Sequence, residues 1–194
     1  MLPNTCQHSF DGEIYGCTDL VLVTNIIAAA NRGVKVRVFN DLIQEKGPAD
    51  HHAMQMLVDA GAVNGNIQVK VGKSRYGLIT HLKLGIGDGA DGALADTSFV
   101  TYGSYNWSGN FDAGKRPEGA QGQTNVLVIT NDPGEVAQAL AKFELDWVNN
   151  EQKPEWQLKP THPPIATPTP ASTPEAAAAV MQAAVPQVAE GATT

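Results

Sequence analysis

Apolar residues recur at Leu20, Val23, Ile26, Ile27 and Ala30, the spacing of one helix face opening at Asp19, and Gly33 supplies a stop. Val34, Val36, Val38 and Phe39 then alternate with Lys35 and Arg37 up to the turn-forming pair Asn40-Asp41, which predicts a strand. Met54, Met56, Leu57 and Ala60 predict a second helix ending at Gly61, and residues 67–71 a second strand. Residues 78–86, 98–102 and 125–130 are short runs with little alternation, the pattern of strands covered on both faces. Asp132-Pro133-Gly134-Glu135 has the form of a capping box with proline at the first helical position. It opens a helix whose Val136, Leu140, Phe143 and Trp147 share a face. Helices alternating with strands predict a layered α/β domain.

Residues 1–18 show no obvious strand and are read as an irregular N-terminal segment, so the domain is expected over residues 19–152. Beyond Gln152 the chain turns to Pro, Ala and Thr, with too few large apolar side chains to offset the entropy of ordering, and residues 153–194 are expected to be a disordered tail. A length of 194 residues fits one domain plus such a tail.

Charge narrows the field of partners. Thirteen Lys and Arg stand against 20 Asp and Glu, a net charge of −7, which argues against a scaffold that grips nucleic acid through bulk positive charge. Lys70, Lys73, Arg75 and Lys83 could still form a local basic strip. The two cysteines, Cys6 and Cys17, fit neither a zinc framework nor a disulfide-rich module and are read as structural. No run approaches the roughly 18 apolar residues of a membrane span. Residues 1–12 lack a basic-then-apolar leader, and nothing else in the sequence indicates a compartment.

Candidate chemistry is concentrated in two segments. In the first, His81 and Lys83 are two apart on an expected strand, which sets an imidazole and an ammonium on one face about 6 to 7 Å apart at the backbone. In the second, Gly103 and Ser104 end the next strand in a small, open turn and Asn106 adds an amide donor. Such donors converging on one point suit a phosphate. His51-His52 invites a metal reading, but neighbours on a helix face different ways and no third ligand is spaced to join them; no metal is expected. Gly87-x-Gly89-x-x-Gly92 fits a dinucleotide pattern without the helix that must follow it.

His81-x-Lys83 followed after four residues by Asp88, and then Gly103-Ser104-x-Asn106, resembles the signature of the phospholipase D superfamily. The helix-to-strand step around Arg32-Gly33-Val34 is similar too, so the resemblance spans about residues 19–147. It implies a phospholipase D-like α-β-α sandwich with a mixed central sheet, and phosphodiester hydrolysis without a cofactor. His81 is then the nucleophile that forms a phosphohistidine, while Lys83, Ser104, Asn106 and the Gly103 turn bind the substrate phosphate. Asp88 belongs to the catalytic motif, although its odd offset from His81 favours a positioning role.

The resemblance also implies a second histidine facing the first across a two-fold axis. Since one motif is present, a homodimer sharing one active site is expected, with half of a two-motif enzyme as the alternative. The implied substrate is a phospholipid or other small diester; the alternatives are a nonspecific endonuclease on DNA or RNA, and a binding module of the same fold with weak catalysis. In relatives a glutamate that orients the nucleophilic histidine precedes the strand that here begins at Asn125. This chain has Thr124 there, leaving Thr124 and Glu118 as candidates for that task. The gap between Asp88 and Gly103 is also long, and residues 89–93 look like an inserted loop.

Overall fold

Ser9–Ile14 (β1) lies at the centre of the molecule, in the stretch whose pattern predicts no strand. It is followed by Leu20–Asn31 (α1), Lys35–Asp41 (β2), Leu42–Glu45 (α2), Pro48–Asn64 (α3), Ile67–Gly72 (β3), Lys83–Gly87 (β4), Phe99–Gly103 (β5), Leu127–Thr130 (β6) and Pro133–Asn149 (α4). The computed structural model describes residues 2–89, 96–108 and 125–162.

The sheet runs β3-β2-β1-β4-β5-β6. Its first three strands are parallel, and β4, β5 and β6 join antiparallel. This is the expected mixed sheet. Helices α1 and α3 bury Val23, Ile26, Ala29, Met54 and Leu57 against Phe10, Ile14, Val36 and Val38 on one face. On the other, α4 buries Val136, Phe143 and Trp147 against Phe39, Leu84, Ile86 and Val100. The result is the α-β-α sandwich, with alternate sheet residues feeding two separate cores. Among the described residues no helix is long and apolar enough to cross a membrane.

The expectation of an irregular segment over residues 1–18 is therefore corrected. All six residues of β1 are buried, but its second face carries Ser9, Asp11 and Glu13, which hides the apolar alternation of Phe10 and Ile14. Asp11 is held by a bidentate pair with Arg37 (2.7 and 2.9 Å), whose guanidinium also meets Glu144 and lies over the Phe143 ring. A buried charge satisfied in this way reads as surface in a pattern analysis.

Three boundaries also move. Helix α3 runs through Gly61 to a left-handed Gly65; a Cβ at Gly61 would stand 2.5 Å from the Ile67 carbonyl, so that glycine serves close packing rather than termination. The strand expected over 78–86 begins only at Lys83, because the preceding chain is a loop pinned where Thr80 N–H donates to the buried Asp41 carboxylate. At the other end, residues 153–162, expected in the tail, are bound to the body: the Gln157 amide bridges Val71 of β3, and the Asp59 carboxylate accepts from Thr161.

Candidate active site

Parallel strands β1 and β2 deliver their carboxyl ends to the edge of the sheet where antiparallel β4 begins and β5 finishes. Gly85 pairs with Thr101, so the start of β4 lies beside the end of β5, and the two sequence segments meet although 20 residues separate them. β1 extends the junction as Tyr15 N–H donates to Leu82 O (2.9 Å).

His81 stands on the extended chain just before β4, exposed, with its ring centroid 4.6 Å from that of Tyr15. Lys83 opens β4 and is 5% exposed. Its Nζ donates to His81 O (3.1 Å) and lies 4.9 Å from the centre of the same Tyr15 ring. Burial lowers the Lys83 pKa from the ordinary lysine range, with the Asp41 carboxylate opposing the shift. The imidazole and ammonium are thus brought together, but through a shared aromatic ring and not by strand alternation. Tyr15 is the shared neighbour of both side chains that sequence reasoning missed, and recognising β1 was the signal needed to find it.

Asn106 is set by its neighbour. Trp107 N–H donates to Gly16 O, and Trp107 O accepts from Thr18 and Asp19 N–H, tying the second segment to the β1–α1 turn. The indole packs into space left by Gly12 and Gly85, where a Cβ on Gly12 would come within 2.4 Å of it. Asn106 Oδ1 is buried without a hydrogen-bond partner among the described residues. The Ser104 hydroxyl is engaged at the β5–β6 connection, donating to Asn125 Oδ1 (3.1 Å) and accepting from Val126 N–H (3.0 Å). Gly103 is required there by the β6 backbone, since a Cβ would meet Val126 O at 2.0 Å.

Asp88 is not brought to the site. Five strand steps, about 17 Å, separate it from Lys83. Its buried carboxylate accepts from Gln7, His8 and Ser9 N–H and from the Thr97 hydroxyl, closing the start of β1 onto the far end of β4. Burial raises its pKa, but those four donors outweigh burial and hold the carboxyl below its usual range. The catalytic grouping of Asp88 with His81 and Lys83 thus becomes a positioning role. Thr124 and Glu118 lie outside the described residues, as does most of the loop after Gly89. His51 Nδ1 is 2.6 Å from Glu45 Oε1.

Beside His81 a cleft of about 180 Å³ opens toward α4, lined by Glu13, Arg75, Thr80, Lys142 and Asn150 among others. Glu13 is 1% exposed; Oε1 accepts from Asn150 (3.3 Å), while Oε2 has no partner among the described residues. Burial pushes its pKa up to about 7, with the Lys142 ammonium and the Asn150 bond pulling the other way. Of the expected basic strip, Arg75 lines this cleft, but Lys70 is committed to α4, donating to Trp147 O and lying 4.2 Å from the indole centre.

An exposed histidine, a buried lysine and an asparagine thus stand near the start of β4 and the end of β5 in a three-layer α/β domain. Residues 3–147 match the family model described as cardiolipin synthase, PLD-like domain, and the chain belongs to that family within the phospholipase D superfamily. Its fold is similar to the crystal structure of a phospholipase D family member, Nuc from Salmonella typhimurium, at 20% identity and a TM-score of 0.58, covering 78% of this chain and 86% of that one. NucT from Helicobacter pylori is similar at 21% identity with the same coverage and TM-score. TrmBL2, an archaeal chromatin protein described as having a novel mode of DNA binding, is similar at 18% identity and a TM-score of 0.51, over 78% of this chain and 48% of that one. No curated protein matches the chain.

Proposed function

We propose that this protein hydrolyses phosphodiesters, with His81 as the nucleophile. The observation that supports the reading is that exposed His81 and buried Lys83 share the Tyr15 ring at the start of β4, beside the end of β5 from which the chain leads to Asn106. A neutral imidazole nitrogen of His81 attacks phosphorus; the N–P bond forms as one ester P–O bond breaks, and the departing oxygen takes a proton from a second histidine. Water then attacks the phosphohistidine, returns that proton to the second histidine, and frees His81. The net products are one alcohol and one phosphomonoester. Lys83 and Asn106 stabilise the non-bridging oxygens as charge develops, and Ser104 joins them when its hydroxyl turns from Asn125. None of these steps calls on a metal.

The second histidine is His81 of a second copy, so the working unit is a homodimer sharing one site. The substrate is a small diester or phospholipid: the net charge of −7 opposes a polyanion, and Lys70 is withdrawn from the basic strip by Trp147. Acid-labile, base-stable label trapped on the protein from a phosphorus-labelled diester is the expected result, abolished by His81→Asn and indifferent to EDTA. Unchanged turnover by His81→Ala would refute the reading, and salt-sensitive DNA cleavage exceeding that of small diesters would move the substrate to nucleic acid.

A further inference from the structure

His81 is exposed, and an exposed imidazole with its side-chain torsions free has no fixed direction of its own. A nucleophile needs one, because attack on phosphorus requires the nitrogen close to the reacting atom and aligned with it. Tyr15 supplies a wall for that ring. The two centroids are 4.6 Å apart and the planes are tilted by 58°, toward the edge-to-face approach that aromatic rings favour.

The same ring meets Lys83. That side chain is buried, and its Nζ lies 4.9 Å from the Tyr15 ring centre, close enough for the negative ring face to offset part of the cost of burying an ammonium. Nζ also donates to His81 O (3.1 Å). An ammonium has three donors, so one bond to His81 and one ring face still leave a donor for a phosphate oxygen. Tyr15 is itself anchored to the segment it touches. It follows β1 directly, and its N–H donates to the carbonyl of Leu82, the residue between His81 and Lys83 (2.9 Å). One backbone bond and two side-chain contacts thus join Tyr15 to three consecutive residues. Both side-chain contacts are made by the ring and neither by the hydroxyl.

We propose that Tyr15 is a positioning residue of the site: its ring holds the His81 imidazole in the direction of attack and keeps the Lys83 ammonium beside it, without touching the substrate. The assignment rests on the hydrolytic reading above and adds to it the group that aims the nucleophile.

The test measures kcat and KM for bis(4-nitrophenyl) phosphate on the full chain and on Tyr15→Phe, Tyr15→Leu and Tyr15→Met. Phenylalanine keeps the ring and should keep kcat within about threefold, while leucine and methionine should lower it about ten- to a hundredfold with KM changed by less than about threefold, the signature of a misaimed group. Three results overturn the assignment: full activity without the ring, an equal loss in Tyr15→Phe, which would put the hydroxyl to work, or a rise in KM alone, which would make the ring a substrate contact. If leucine fails to fold, judged by thermal melting, methionine decides. The second measurement does not depend on turnover. Ring-proton signals of His81, identified by their disappearance in His81→Asn, should be displaced from the free-histidine position in wild type and Tyr15→Phe and return to it in Tyr15→Leu. Should the wild-type chain cleave no diester, the hydrolytic reading fails and these spectra decide by themselves: displacement that follows the ring supports its hold on the imidazole, and wild-type signals at the free-histidine position refute it.

Discussion

Asp88 and Glu13 are both buried acids on the central strand pair, and their surroundings push them in opposite directions. Asp88 gathers three backbone donors and a hydroxyl, so its carboxylate is stabilised in the folded state. With its folded pKa below the unfolded value, it contributes stability that is present at neutral pH and is lost as pH falls through the folded pKa. Asp88→Ala should cost about 3 kcal/mol in urea unfolding at pH 7, by stranding the amides of residues 7–9, and should flatten the acid limb of the stability profile. Glu13 behaves the other way. Its folded pKa of about 7 lies above the unfolded value near 4.5, so between these the native state binds more protons. Its contribution is greatest below about 4.5 and declines as pH rises toward 7. Glu13→Gln should remove that decline and make the protein more stable than wild type at pH 8, measured by thermal melting at several pH values. A wild-type slope preserved in the variant would contradict the assignment.

At the scale of elements, the site depends on how closely the β5 turn can approach β1. Gly12 and Gly85 leave a slot for the Trp107 indole, and the Trp107 backbone is tied to Gly16, Thr18 and Asp19. Asn106 is adjacent, so it inherits its position from that packing. Gly12→Ala forces the indole outward and should lower kcat at least tenfold while the far-UV circular dichroism stays unchanged, since the strand itself tolerates alanine. Helix α4 supplies the opposite wall. Phe143 is fully buried between Arg37 and Trp147, and Phe143→Ala should destabilise the fold by roughly 3–5 kcal/mol in denaturant titration.

For the whole molecule, the decisive property is that one chain brings one motif histidine to its site. If catalysis needs two, mixed dimers of wild-type and His81→Asn chains are inactive. Co-refolding equal amounts should then leave about a quarter of the dimers active, where independent sites would retain half the activity. Activity that tracks the wild-type fraction linearly, or a monomeric solution mass for the active species, would remove the shared site.

Much of this was already written in the local pattern. The faces of α1 and α4, the capped start of α4 at Asp132, and strands β2, β3, β5 and β6 follow from spacings of a few residues, because helix and strand periodicity is a local property. The closeness of His81 and Lys83 could be read from their spacing, and the grouping with Asn106 was expected from motif order. Tertiary structure decided what depends on partners distant in sequence. β1 is a central strand although it carries acids that otherwise mark a surface: Arg37 pairs with Asp11, and Asn150 bonds one oxygen of Glu13. Asp88 leaves the reaction because residues 7–9 need its carboxylate. Glu13 lines the cleft beside His81, and Tyr15 meets the His81 ring, because β1 inserts between β2 and β4 and brings the chain there. Periodicity records which side of an element is apolar; whether a buried charge has found a partner is settled only when residues up to 137 positions apart come into contact.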